Sequence, residues 1–459
     1  MRSPTDQPNL LLINCDDLGY GDLGCYGSTR NRTPHLDRLA AEGMRFTDFY
    51  MASSVCSPSR CAMLTGCYPP RIDCGEFDGV PVLFPGDATG LNPEEETIAT
   101  LLKRAGYATK LVGKWHCGDQ PEFLPTRHGF DSYYGLPYSN DMGIQKVNPD
   151  RTTPLPLMRD DGVIQEQPDQ TGLTERYVEE CVRFIRAERD RPFFLYLAHM
   201  HVHLPLLVSQ RFLEASSNGA YGGAVECIDW AMGALLAELQ AQGLTENTLI
   251  VFTSDNGSRA RGEGGSNDPL KGHKGQLHEG GIRLPCIVRW PGQVPAGTVC
   301  ETLMSAIDFL PTFTALANAP SPQKTIDGLD FTEVFRGQRA TGPRETFYYY
   351  WKHELCGVRK EDWKLMVHQR GFEEAEAVRA LYNLREDIGE TNNVYAANPQ
   401  IVAELEALLQ ECRADIGDDL THTLGVNRRP KGRVQNPVPL TQFDPAHPYI
   451  IASYDGAGG

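Results

Sequence analysis

Five short apolar runs constrain the fold most. Leu10–Ile13, Lys110–Val112, Phe193–Ala198, Leu249–Thr253 and Cys286–Arg289 lack the polar alternation of a half-exposed strand. They read as parallel strands buried on both faces. Helical patterns lie between them. Thr33 before Pro34 is an N-cap and first-turn pair, and Gly43 stops that helix. Ile98, Leu101, Leu102 and Ala105 recur at helical spacing. Leu173–Arg189 and Ala224–Leu244 are longer amphipathic stretches. Strands alternating with helices predict an α/β fold, a large and mostly parallel sheet sandwiched by helices.

The texture changes near Thr341. Tyr348–Trp351, Val358–Lys360 and Trp363–Leu365 suggest a smaller antiparallel sheet, followed by a helix over Pro399–Ile416 and an irregular tail after Val426. The expected division is a catalytic domain over 1–340 and a smaller α+β subdomain over 341–459. The Tyr348–Trp351 run reads as sheet packing, with the rim of a sugar site as the alternative. Glu94–Glu96 and Glu373–Glu374 read as solvated faces, and His353 as a residue reaching the pocket from the second domain.

At 459 residues the chain can bury a sizeable core. Its formal charge of −17 argues against a nucleic-acid or anionic-membrane surface. No apolar run approaches the ~18 residues of a membrane span. Met1–Pro8 has no apolar leader core, and the compartment is left open. The 13 cysteines show no CxxC spacing, so most read as buried thiols.

Two predicted strands run into acids, at Asp16-Asp17 and at Asp255-Asn256. Ligands of open α/β sheets bind beyond the carboxyl ends of strands. Together the two ends offer three carboxylates and an amide oxygen, a shell for Ca²⁺ or Mg²⁺ rather than zinc. Both are also turn sequences. Pro58 and Gly66 bracket a helix that places Cys56 just before its N-terminus, where amide groups favour an anion. Arg60, one turn on, has a fork that suits a tetrahedral oxyanion. His199, His201 and His203 alternate at strand spacing, which by arithmetic alone also suits a zinc chelate.

Cys56-Ser-Pro-Ser-Arg60 with Leu64-Thr-Gly66 resembles the signature of the type I sulfatases, formylglycine-dependent members of the alkaline phosphatase superfamily. Further matches are Asn14–Asp22, Gly113-Lys-Trp-His116, Pro192–Ala198 with His203-Leu-Pro205, Thr253–Gly257 and Gly272–Pro285. Arg127–Phe130 and Leu136–Ser139 are similar to the branch holding arylsulfatase A and N-acetylgalactosamine-6-sulfatase.

The resemblance implies one Ca²⁺, with Mg²⁺ second to it, on Asp16, Asp17, Asp255 and Asn256. Position 56 also faces the metal. It implies that a maturation enzyme oxidises Cys56 to formylglycine. It places Arg60, Lys114, His116, Ser139, His203 and Lys274 around the sulfate. Arg60 and Lys114 clamp position 56 and the sulfate, His116 is the base of the release step, and His203 and Lys274 serve the leaving oxygen. Of the three alternating histidines the pattern uses His203 alone. A hydrated aldehyde suits the reaction because one hydroxyl attacks sulfur and the second, on deprotonation, expels sulfate.

The implied partner is a small sulfated substrate, at a sugar chain end or on an aryl alcohol, since an acidic surface repels a long sulfated chain. A homodimer is the base-rate assembly. The competing readings are a phosphodiesterase or phosphonate monoester hydrolase of the same superfamily, and a silent carbohydrate-binding protein.

Overall fold

The computed structural model describes residues 7–146 and 151–451. Most of the Met1–Pro8 segment and the end of the tail lie outside them. Five parallel strands form the centre of one large sheet, in the order Thr248–Ser254, Asn9–Cys15, Phe193–Ala198, Ala108–Gly113 and Ser132–Gly135. Each of the five apolar runs lies within a strand of this sheet, but Cys286–Arg289, expected to be parallel, is antiparallel to both its neighbours. Antiparallel pairs flank this centre, and beyond them Thr298–Cys300 and Met304–Ser305 pair parallel with Met44–Tyr50. Arg283–Arg289 pairs with Thr248–Ser254 on one side and Met44–Tyr50 on the other. A hairpin of Pro156–Arg159 and Gly162–Glu166 extends the opposite edge.

Alternate side chains of the central strands feed two separate cores, as the two-residue period of a strand requires. Leu10 and Leu12 face a core shared with the helices Cys56–Thr65, Ile98–Arg104 and Phe309–Leu316. Leu11 and Ile13 face the core of the helices Pro34–Ala41, Leu173–Glu188 and Gly219–Ala241.

Register decides where the polar residues emerge. Cys15 lies opposite Ser254, and Asn14 lies opposite both Thr253 and Ala198. Gly113 is opposite Ala198 in turn. Four strands therefore end at one level, and Asp16, Asp255, His199 and Lys114 begin the loops that leave it. Gly113 allows the close approach. Its φ is +110°, and a Cβ there would meet the Ala198 carbonyl oxygen at 1.8 Å.

Residues 346–383 form a four-stranded antiparallel sheet: Thr346–Trp351, Glu354–Lys360, Trp363–Arg370 and Ala375–Asn383. The helix Pro399–Asp415 packs on it through Val402, Leu405 and Leu409. The tail returns toward the N-terminal part of the chain, where Gly432–Arg433 pairs with Thr89–Gly90.

Several sequence expectations change here. Glu95 is buried and pairs with Arg429 at 2.8 Å, because the returning tail covers it. The Glu373 side chain is 61% exposed beside Arg261, as a solvated face requires, whereas Glu374 is half-buried and bonds Gln276 at 2.8 Å. His353 is buried between Asp73, at 3.2 Å, and Arg428, at 3.1 Å, and does not reach the active-site cavity. The sheet-packing reading of Tyr348–Trp351 holds, with Tyr349 and Tyr350 in the core, and the rim alternative falls. All 13 cysteines are free thiols. No helix among the described residues is long and apolar enough to cross a membrane.

A buried ionic cluster joins the two sheets. Lys364 reaches Glu279 at 3.0 Å, Glu390 at 2.8 Å and the Leu277 carbonyl at 2.9 Å. Arg283 and Arg359 converge on Asp48 at 2.8 and 2.6 Å. Burial pushes the Glu279 carboxyl up, but Lys364, Arg283 and Arg359 outweigh it and hold it below the usual carboxylate range. Lys364→Met is expected to cost about 3–5 kcal/mol, because it leaves Glu279 and Glu390 buried without their shared cation. A lowered urea midpoint would show this, and adding Glu390→Gln should restore part of the loss.

Candidate active site

Cys56 is the first residue of its helix, with extended Val55 as the cap, and Gly66 ends the helix in the left-handed region at φ +69°. The sequence reading had placed Cys56 one position outside. Ser59 and Arg60 tie this helix to the second acidic strand end: the Ser59 hydroxyl donates to the Asp255 carbonyl at 2.5 Å, and Arg60 Nε donates to Asp255 Oδ2 at 2.9 Å. The helix start is thereby fixed against the strand ends.

The Cys56 thiol points at Asp16, with Sγ 3.5 Å from Oδ1. Ligand atoms of Asp16, Asp17, Cys56 and His203 all lie within 4.8 Å of one another. This is the single such group of potential metal ligands among the described residues. His199 and His201 are buried but outside it, so the alternating histidines form no common chelate.

Each cation is already matched to a carboxylate. Lys114 Nζ donates to Asp16 Oδ2 at 2.6 Å and to Ser139 Oγ at 3.2 Å. Arg60 bonds Asp255 at 2.7 Å and the Lys114 carbonyl at 2.9 Å, with Asp16 at 3.8 Å. Lys274 lies 2.7 Å from Asp17. Burial pushes the Asp16 carboxyl up, but Lys114, His203, Arg60 and Lys274 together hold it well below the usual range. Burial, then the charge of Asp16, pushes Asp255 up to about 6 despite Arg60. Burial also raises the Cys56 thiol, leaving it protonated and a poor nucleophile as it stands.

The two histidines are oriented by backbone carbonyls. His116 Nε2 lies 2.9 Å from the Leu83 oxygen, and Nδ1 is buried without a hydrogen-bond partner. Burial and Lys114 keep His116 neutral. His203 Nδ1 lies 2.6 Å from the Leu204 oxygen, which leaves Nε2 facing Ser139 Oγ at 3.5 Å and Asp17 at 3.8 Å.

A cavity of about 500 Å³ opens above this cluster. Cys56, His116, Ser139, His203 and Lys274 line it. Arg60 and Lys114 lie behind that lining, wholly buried, and reach the cavity only through the groups they hold. The upper wall contains residues that no sequence motif marked: Val80–Val82, Phe84, Met142, Arg151 and Phe372. Phe372 comes from the second sheet, and only the packing of the two sheets brings it here.

The oxygen shell fits a divalent cation. Asp16 and Asp17 crowd one point with Cys56 and His203, while Asp255 stands outside that group and accepts from the Asp17 amide at 3.3 Å, and Asn256 Oδ1 is buried without a hydrogen-bond partner. Such an atom is costly unless something fills its valence. Asn256 Nδ2 donates to Asp17 Oδ1 at 2.7 Å, which ties the amide to the same cluster. Three carboxylates balance Arg60, Lys114 and Lys274, so a divalent cation turns the centre positive and suits it to an anionic ester.

Fold and site together define a hydrolase for the ester of a tetrahedral oxyanion, built at the carboxyl ends of a parallel sheet. Comparison with known proteins narrows this. Residues 8–319 match the Sulfatase family model, and residues 273–415 match the model described as N-sulphoglucosamine sulphohydrolase, C-terminal. The chain is 39% identical to human arylsulfatase A over 445 residues, covering 87% of each chain. It is 41% identical over 366 residues to N-acetylgalactosamine-6-sulfatase of Canis lupus familiaris, covering 74% of this chain and 68% of that one. The crystal structure of PsFucS1 sulfatase from Pseudoalteromonas sp. superposes with a TM-score of 0.80 at 28% identity, covering 89% and 91%. The chain belongs to the sulfatase family and is a sulfuric ester hydrolase.

Proposed function

We propose that the chain hydrolyses the sulfate ester of a sugar chain end or a small aryl alcohol, using formylglycine made from Cys56 and a Ca²⁺ held by Asp16, Asp17, Asp255 and Asn256. The observation that carries this reading is the convergence of Cys56 and His203, which line one cavity, with Asp16 and Asp17 at the first acidic strand end. The side chain of Cys56 marks where the oxygens of the modified residue would sit. Ca²⁺ is favoured over Mg²⁺ because it accepts an irregular oxygen shell.

When bound and formed, the two groups supply positive charge at the ester oxygens and a hydroxyl nucleophile with its own release route. The chain supplies the rest. Arg60 fixes Asp255 and, through the Lys114 carbonyl, the loop that follows. Lys114 orients Asp16 and Ser139. His116 Nδ1, free while Nε2 donates to Leu83, accepts the proton that starts sulfate release. His203 and Lys274 line the cavity and stabilise or protonate the leaving oxygen, Lys274 through its ammonium and His203 when it is an imidazolium. This is charge stabilisation at an equatorial oxyanion, as in phosphoryl transfer.

The test compares initial rates on 4-nitrophenyl sulfate and bis(4-nitrophenyl) phosphate, with protein matured in a host that makes formylglycine. The sulfate should turn over faster. Faster phosphodiester turnover would replace this reading with the phosphodiesterase one, and no turnover of either ester or of any sulfated sugar would leave a binding protein.

A further inference from the structure

Phe372 is a large apolar side chain left 54% exposed at the tip of the turn joining Trp363–Arg370 to Ala375–Asn383. Its ring lines the cavity above Cys56 together with Val80, Val82 and Met142, so its open face is presented to whatever fills that cavity. Two contacts hold it in place. Its ring meets Trp351 edge-on, with centroids 5.3 Å apart. Its backbone amide donates to the Gly275 carbonyl at 3.3 Å, and a Cβ on Gly275 would meet the ring at 2.2 Å. Gly275 directly follows Lys274, so the ring is fixed next to the lysine that faces the leaving oxygen. The wall also carries Val82 and Phe84, the latter under the Arg151 guanidinium at 5.4 Å. Asp141 and the Arg261–Glu373 pair add charged hydrogen-bonding groups to the rim.

An apolar platform ringed by charged donors and acceptors suits a pyranose. One face of such a ring presents C–H groups to an aromatic side chain, and its hydroxyls bond charged side chains around the edge. A sterol or an alkyl chain would leave Asp141 Oδ1, buried without a hydrogen-bond partner, unpaired. We propose that Phe372 is a specificity-determining residue on which the pyranose ring of the leaving alcohol rests, and that the substrate is a sulfated sugar end rather than an aryl or steryl sulfate. This rests on the sulfatase reading above.

The experiment uses the matured full chain and a panel of galactose 6-sulfate, N-acetylgalactosamine 6-sulfate and N-acetylglucosamine 6-sulfate beside 4-nitrophenyl sulfate and a steryl sulfate. Inorganic sulfate serves as a ring-free inhibitor. At least one sulfated sugar should have the highest kcat/KM. On it, Phe372→Ala should raise KM about tenfold, ~1.4 kcal/mol, with kcat within about threefold. The inhibition constant of sulfate should stay as in wild type, and Phe372→Trp should recover KM. An unmoved KM, or KM and the sulfate constant rising together, overturns the platform. Preference for the aryl or steryl ester overturns the pyranose. Absence of wild-type turnover on every member of the panel refutes the sulfatase reading instead.

Discussion

Cys56→Ala is expected to lower turnover of 4-nitrophenyl sulfate by about four orders of magnitude or more, the scale seen when a covalent nucleophile is removed. Alanine leaves no atom that can be oxidised to an aldehyde and no oxygen to attack sulfur. The fold should survive. Position 56 begins its helix and faces the cavity floor, alanine is a good helix former, and the thiol contributes a single long contact to Asp16. A far-ultraviolet spectrum and urea midpoint close to wild type would establish this. Mass analysis of the peptide spanning Cys56 should show, in matured wild type, loss of the thiol mass in favour of the aldehyde or its hydrate. A Cys56→Ala protein keeping a tenth of wild-type activity would sink the nucleophile assignment. A fully active wild type with an unmodified thiol would sink the formylglycine.

Asp255→Ala is expected to lose metal and activity together, with at least about a thousandfold drop in kcat/KM, given that a bound metal supplies several kcal/mol to the transition state. Asp255 is also the partner of Arg60 and accepts from the Asp17 amide at 3.3 Å. Removing it leaves a wholly buried guanidinium with a weaker partner, Asp16 at 3.8 Å, so some stability goes as well. Asp255→Asn separates the two effects, because it keeps the size and one acceptor oxygen while removing the charge. Elemental analysis and calorimetric Ca²⁺ titration should show weaker binding in both variants. Ca²⁺ affinity unchanged in Asp255→Asn would remove this residue from the shell.

Much of this was legible in the sequence for definite physical reasons. Buried parallel strands must be apolar on both faces, so Leu10–Ile13 and Leu249–Thr253 announced themselves. Their acidic continuations stood out because carboxylates rarely follow a buried strand without a task. The Cys56–Gly66 signature is contiguous, so it needed no tertiary structure to be seen. Glu95 was misread because a charge looks solvated until the tail that covers it is in place. Lys364 was unremarked because one lysine within a strand gives no sign of two distant glutamates.

What the sequence determined alone was the local chemistry: strand, helix and the reactive motif, each set by residues near one another in the chain. What only the tertiary structure decided was the pairing. Strand register brought Asp16 to Cys56 and Lys114, so that the cations meet carboxylates before any substrate arrives. Packing of the second sheet carried Phe372 to the mouth of the cavity. Both depend on contacts between residues tens to hundreds of positions apart, which no local pattern encodes.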